Sequence, residues 1–396
     1  MKVVQINNLC GRGSTGKIVV GISQIASQNN IDNIVYYFSK QTDLKNSIKI
    51  TNKFYIKLQA FKSRVFGNYG FNSNWATKKL IKKIDGYNPD IVHIHNIHAH
   101  NVNFEILFSY LKEKRKKVIY TFHDCWAFTG YCPHFTMEKC NQWKIECHHC
   151  SLRKRYSWFF DKSKKNFMRK KQALAGLDLT IITPSRWLSN LVKESFLASF
   201  PCYVINNGIN LDIFKPTTSN FKMQNNLKEK HIVLGVADVW SVNKGLDVFV
   251  ELSKMLPSNY QIVLVGVSEK IKKELPESIL SILRTQNQLE LADIYSSADV
   301  FVNPTREEVL GLTNIEALAC GTPVAMFNVG GSPECIDSTC GSIVKDYDIK
   351  QLQREIIRIC ETKPYSSRNC IKRAKLFDAN DRFNDYLNIY KMFFDI

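Results

Sequence analysis

The chain predicts a doubly wound α/β protein built from two parallel-sheet units. Three observations carry that expectation. Short apolar, β-branched runs alternate with helix-compatible stretches; the alternation pauses at one polar stretch and restarts; and glycines, histidines and carboxylates collect just after the strand-like runs. The length agrees, because 396 residues exceed what one core usually supports at roughly 100 to 200 residues per domain.

In the first half the strand-like runs are 2–6, 33–38, 91–94, 118–122, 179–183 and 203–206. They place a Rossmann-like domain over 1–207, carrying a cysteine-rich insert at about 125–171. After Asn207-Gly208 a polar stretch through Lys230 reads as a linker. The pattern resumes with runs at 232–237, 261–267, 300–303, 323–327 and 342–344, which make a second such domain over 208–396. Two α/β units in series imply a cleft between them, and in open α/β sheets ligands sit beyond the carboxyl ends of strands.

Composition narrows the function classes. A 44% hydrophobic content argues against disorder, and no apolar run approaches the roughly 18 to 20 residues needed to span a bilayer. The N-terminus enters a strand-like run without a basic lead or signal-length apolar core, so a cytoplasmic protein with reduced thiols is expected despite its 12 cysteines. The formal charge of +18 favours anionic partners. Between Arg153 and Lys171 basic residues crowd around one acid, Asp161, interleaved with Tyr156, Trp158, Phe159, Phe160 and Phe167. That composition fits an anionic membrane surface or nucleic acid, and equally a solvated helix whose aromatics are core.

The chemistry-bearing motifs follow strands. Gly11-Arg12-Gly13-Ser14-Thr15-Gly16-Lys17 has P-loop spacing, yet Ile18 stands where a magnesium-binding hydroxyl belongs, which counts against a nucleoside triphosphatase. Gly13, Ser14 and Gly16 still allow backbone amides to approach phosphate or sugar oxygens, or simply close a tight turn. Glu308 and Glu316 flank a loop and helix start, so both can face one pocket. Thr313-Asn314-Ile315-Glu316 reads as a capping box, whereas Glu308 has no such structural role; Glu307 beside it reads as the surface residue. Gly311 and Leu312 precede the helix, where amides and the helix dipole can neutralise a diphosphate. Gly330-Gly331-Ser332-Pro333-Glu334 forms a second such loop, and Lys244-Gly245 opens another helix with a lysine placed to balance a leaving diphosphate.

His123-Asp124 ends a strand and reads as site material. His93, His95, His98 and His100 have no acidic partner close in sequence and read as a polar lining rather than a metal site. Cys132, Cys140, Cys147 and Cys150, with one C-x2-C pair, fit a structural zinc and reduced thiols equally well. Asp346-Tyr347-Asp348 matches a metal-binding D-x-D pattern but reads as a surface turn.

Together these residues resemble the retaining glycosyltransferases of family 4, of the GT-B fold with two facing Rossmann-like domains. The resemblance rests on Glu308-x7-Glu316, the run from Glu316 to Val324, the Gly330 loop, Lys244-Gly245, the Gly11 to Gly16 loop, Pro89 to His95, His123-Asp124 and Val204 to Ile209. His123 to Cys132 ahead of the cysteine-rich loop looks most like the bacterial exopolysaccharide and capsule enzymes. The resemblance implies an acceptor-binding first domain, a nucleotide-sugar-binding second domain, and a last helix that packs back on the first. It implies a UDP- or GDP-sugar donor, a saccharide or polyprenyl-diphosphate-linked acceptor, and a peripheral position at the inner face of the plasma membrane. It also implies roles: Glu308 on the donor sugar, Glu316 on the ribose, Lys244 on the diphosphate, His123 at the reaction centre, and Gly330 and Gly331 lining the donor pocket. The expected chemistry is hexosyl transfer with retention and no catalytic metal. Where the family carries an arginine, this chain has Val239, so the diphosphate is left either to Lys244 and helix N-termini alone or to an arginine from elsewhere, such as Arg306 or Arg12. The rival expectation is a nucleic-acid-binding or regulatory protein on the same scaffold.

Overall fold

The computed structural model describes residues 1–39, 42–98 and 100–394. It divides into unit one, residues 1–206 with the C-terminal stretch from Arg382, and unit two, residues 207–381.

Unit one is built on β1 (Lys2–Leu9), β2 (Asp32–Ser39), β3 (Ser47–Lys49), β4 (Ile91–Ile94), β5 (Lys117–Thr121), β6 (Leu179–Thr183) and β7 (Cys202–Val204). All pairings are parallel in the order β3-β2-β1-β4-β5-β6-β7. β4 and β6 are buried along their whole length, as expected of strands covered on both faces. β1 lies between β2 and β4, so the crossovers diverge there, and a doubly wound sheet opens its ligand crevice at such a switch point.

Unit two repeats the scheme with β8 (His231–Val236), β9 (Tyr260–Val265), β10 (Ile279–Ile282), β11 (Val300–Asn303), β12 (Val324–Phe327) and β13 (Gly341–Val344), in the order β10-β9-β8-β11-β12-β13. The switch point falls between β8 and β11. The loops leaving these two strands carry Lys244 and Glu308 respectively.

The structure adds two strands, β3 and β10, that composition does not signal. Both are edge strands, and most of their residues are only partly covered, so neither has the continuous apolar run of a central strand. The polar stretch after Asn207 is not a free linker. Phe214 and Leu227 are buried in the unit-two core, and Phe221–Gln224 forms a short helix.

Three helices of unit one matter below: α1 (Gly13–Gln28), α2 (Lys53–Phe66) and α3 (Asn74–Tyr87). The C-terminal helix Ala379–Met392 buries Tyr386 and Tyr390 with Ile91, Ile119 and Ile182 of the unit-one sheet. The basic segment divides between the two readings. In the helix Ser163–Leu174, Phe167 and Lys170 are fully buried, Lys170 Nζ donating to the Trp126 and Thr129 carbonyls, whereas Trp158, Phe159 and Phe160 stand in solvent.

Candidate active site

In unit two a short turn, Val242–Lys244, follows β8 and ends at Gly245, whose φ of 75° reverses the chain into the helix Leu246–Met255. The loop after β11 is stitched to it: the Arg306 amide and the Thr305 hydroxyl both donate to the Asn243 carbonyl, at 2.8 and 3.1 Å. This brings Lys244 Nζ within 2.8 Å of Glu308 Oε2, while Glu308 Oε1 accepts from the Val309 amide at 3.1 Å. The two side chains are 39% and 22% exposed, so this ion pair adds only about 0 to 1 kcal/mol to stability. Its value lies in placing a cation and an anion together at the strand ends.

Gly311, at φ 91°, caps the helix Leu312–Ala319 without any side-chain cap, so the first-turn amides are left to other partners. Gly330, at φ 57°, lies against Glu308: a Cβ there would stand 1.8 Å from the Glu308 carbonyl oxygen, which accepts from the Gly331 amide at 3.2 Å. Lys244, Glu308, the Gly311-Leu312 helix start and the Gly330-Gly331 loop thus form one cluster.

Three sequence expectations change here. Helix formation begins at Leu312 rather than at the expected capping box, and Glu316, in the second turn, accepts instead from the buried Tyr295 hydroxyl at 3.1 Å. Glu307 is the buried member of its pair, 7% exposed, with Asn243 Nδ2 donating to it at 2.9 Å; Glu308 is the more open one. Arg306 is engaged in a two-pronged pair with Asp247 at 2.7 and 2.8 Å, so much of its charge is already offset. Arg12 is exposed in the turn before α1, and Val239 is 70% exposed.

In unit one the β1–α1 turn sets Gly11 and Gly13 at φ 75° and 65°, and the Gly11 amide donates to the Gly16 carbonyl at 3.0 Å. Arg12 caps α1 without a side-chain bond, so the first-turn amides, Ser14 among them, have no side-chain cap. A histidine chain starts within β4 and continues into the loops beyond β4 and β5. His93 bridges Tyr390 and Thr121 at 2.6 and 2.8 Å, and His95 joins Gln5 to His123 at 3.1 and 3.2 Å. The acidic partner missing from the local sequence is Asp124, whose Oδ2 lies 2.9 Å from His98 Nε2. Parallel pairing of β4 with β5 brings these residues together from 26 positions apart.

Burial pushes His123 down to about 4 despite the counter-pull of Asp124, and pushes His93 down to about 3. Burial alone would raise Asp124, but the neighbouring His98 ring and the Trp126 amide hold it at about 2. The unfolded imidazoles take up protons near pH 6.5 while the folded ones stay neutral, so the unfolded chain binds more protons between that pH and about 4. Stability is therefore complete above about pH 6.5 and falls on acidification, by about 1 kcal/mol per pH unit for each such histidine. Thermal melting from pH 7.5 to 5 is expected to show this decline, and His93→Gln should flatten it; a pH-independent melting temperature would contradict the burial argument.

Cys132, Cys140, Cys147 and Cys150 line one cavity of about 330 Å³, together with Glu138 and His149. Cys132 and Cys150 share a hydrogen bond, and the Gly130 amide donates to Cys147 Sγ at 3.3 Å. Among the described residues no three of His, Cys, Asp or Glu come close enough to hold a metal ion, so a structural zinc is not indicated. Asp346 and Tyr347 lie in an exposed turn at positive φ, and Asp348 caps the helix Ile349–Thr362.

Comparison with known proteins follows this division. Residues 34–213 match the family described as Glycosyltransferase Family 4, and residues 217–377 match Glycosyl transferases group 1. The sulfoquinovosyl transferase SQD2 of Arabidopsis thaliana is 28% identical over 40% of this chain, which spans about a third of that relative (32%). An uncharacterized 41.2 kDa protein in the cps region of Klebsiella pneumoniae is 26% identical over 79% of this chain and 82% of its own. The Anabaena protein Alr3699/HepE in complex with UDP and glucose superposes with a TM-score of 0.71 at 14% identity, covering 99% of this chain and 100% of its own. That likeness shows the fold: two parallel-sheet Rossmann-like units of the GT-B type.

Proposed function

We infer that this group 1 glycosyltransferase moves a sugar from a nucleoside diphosphate to a hydroxyl of a saccharide acceptor, keeping the configuration of the anomeric carbon. The observation that supports it is the Lys244–Glu308 pair at 2.8 Å, set beside a helix start without a side-chain cap. Breaking the bond between the anomeric carbon and the diphosphate oxygen leaves negative charge on the diphosphate. Lys244 and the amides around Gly311 and Leu312 would stabilise that charge, and such preorganised stabilisation is usually the largest catalytic contribution.

Glu308 would accept hydrogen bonds from the donor sugar and Glu316 from the ribose, with Tyr295 fixing the Glu316 carboxylate. The Gly330-Gly331 loop would line the donor pocket, and the Gly13-Ser14-Gly16 turn would offer amides to donor oxygens. His123, neutral at physiological pH, would hydrogen-bond the transferred sugar. The acceptor oxygen would attack from the face the diphosphate leaves, its proton passing to the departing phosphate oxygen. Lys244 and helix amides would then supply the positive charge that a metal supplies elsewhere. A UDP- or GDP-sugar donor is in keeping with UDP and glucose in the Anabaena neighbour. The cps-region relative favours a cell-surface polysaccharide role. A lipid-linked acceptor at the inner face of the plasma membrane rests on the family resemblance and would suit the +18 charge of the chain. Among the described residues no helix is long and apolar enough to cross a membrane, so attachment there would be peripheral.

The test begins with a donor screen by saturation-transfer NMR, followed by assignment of the anomeric configuration in the product. Retention is expected, and inversion would overturn the mechanism. Glu316→Ala should weaken nucleotide binding about tenfold or more, the worth of one charge-assisted hydrogen bond, whereas Tyr295→Phe should have a smaller effect. Equal nucleotide affinity in a folded Glu316→Ala protein would remove Glu316 from the donor site.

A further inference from the structure

We propose that the outward stripe of α2, continued by the loop Trp158-Phe159-Phe160, is the surface on which this chain lies against an anionic lipid bilayer. The proposal rests on the peripheral-membrane reading above and assigns it to particular residues.

Helix α2 leaves large apolar side chains in solvent. Its two buried positions are polar: Gln59 and Ser63 are 8% and 0% exposed, and Gln59 accepts the Ser73 amide at 3.3 Å. Phe54, Leu58 and Phe61 stand out at 78%, 41% and 57% exposure, interleaved with the exposed cations Lys53, Lys57, Lys62 and Arg64, while Tyr55, Ile56, Ala60 and Val65 are only partly buried. The spacing of Phe54, Leu58 and Phe61, four and then three residues, puts all of them on one helical stripe. A soluble helix normally turns such residues to the core, and an exposed apolar stripe of this kind marks an interaction surface.

The stripe does not end with the helix. Phe61 meets the Trp158 ring edge-on at 5.8 Å, and Trp158, Phe159 and Phe160 continue the contact, each 46% to 63% exposed. The Trp158 amide donates to the Arg64 carbonyl at 2.7 Å, which fixes the loop against the helix end. On the other flank Tyr55 packs at 5.3 Å against Trp75, itself 57% exposed.

Charge selects the occupant. Lys53, Lys57, Lys62 and Arg64 lie on α2, which has no Asp or Glu, and Lys78 and Lys79 follow on α3. Aromatic and aliphatic side chains flanked by long cations match a bilayer interface, where rings enter the headgroup region and lysine stems reach to phosphate. Single-stranded nucleic acid would also accept cations and rings, but Leu58 in the middle of the stripe offers it neither stacking nor charge.

Vesicle flotation of the full chain tests this, with phosphatidylcholine vesicles made with and without phosphatidylglycerol. The wild type should float only with the anionic vesicles, and less so at high salt. Phe54→Ser with Phe61→Ser should weaken binding about a hundredfold, and Lys53→Glu with Lys57→Glu at least about thirtyfold, at about fivefold per lost charge. Both variants alter exposed side chains, so unchanged melting temperatures would show that they fold. If the wild type ignores every vesicle, the peripheral-membrane reading fails and the proposal with it. If the wild type binds and the folded variants bind equally well, the reading stands but this surface is wrong. Capture of single-stranded RNA through the same residues, without vesicle binding, would also overturn the proposal.

Discussion

Replacing Lys244 by alanine is expected to lower the turnover of sugar transfer about a hundred- to a thousandfold, the loss seen when one preorganised stabilising group is removed. The melting temperature should hardly move. The side chain is 39% exposed and its ion pair with Glu308 is worth little to folding. The substitution also leaves Glu308 without its cation at 2.8 Å, so an anionic carboxylate would face the developing diphosphate charge unbalanced. Lys244→Arg should recover part of the rate because it keeps the charge but changes its geometry. Single-turnover kinetics would show whether the loss lies in the chemical step, as leaving-group stabilisation requires, or in donor affinity. An unchanged rate would mean that the pair serves the loop and not the reaction.

Central strands were legible because a strand covered on both faces is mostly apolar, as in Ile91–Ile94 and Leu179–Thr183, which are buried along their whole length. Edge strands such as Ser47–Lys49 escape the same logic because water covers part of them. Glu308 was legible as a loop residue without a capping role, but the assignment of Glu307 to the surface was not correct. Its burial depends on Asn243, 64 positions upstream, and local composition carries no information about that partner. The pairing of His98 with Asp124 was hidden for the same reason, since adjacent parallel strands deliver the two residues to one place. The expected capping box failed at Gly311, where a positive φ starts the helix earlier than the Thr-Asn-Ile-Glu pattern suggests. In α2 the apolar spacing identifies a stripe, but spacing alone does not say which stripe faces the core.

Gly330→Ala is expected to damage transfer nearly as much as removing the Glu308 side chain, although alanine adds only a methyl group. At φ 57° an L-residue pays roughly 1 to 2 kcal/mol in backbone strain. The larger effect is steric: the added Cβ would stand 1.8 Å from the Glu308 carbonyl oxygen and 3.0 Å from its carbonyl carbon. Backbone, not a flexible side chain, must give way, and the Gly331 amide loses its 3.2 Å bond to that carbonyl. Moving the Glu308 backbone carries its carboxylate away from Lys244, so one substitution disturbs both members of the pair. Gly331→Ala is the control, because Gly331 sits at φ −90°, which any residue adopts, and should be far milder. The doubly changed protein, Gly330→Ala with Glu308→Ala, should be little worse in turnover than Glu308→Ala alone, because both act through the same carboxylate. Fully additive losses would show instead that the Gly330 loop contributes to transfer independently of Glu308.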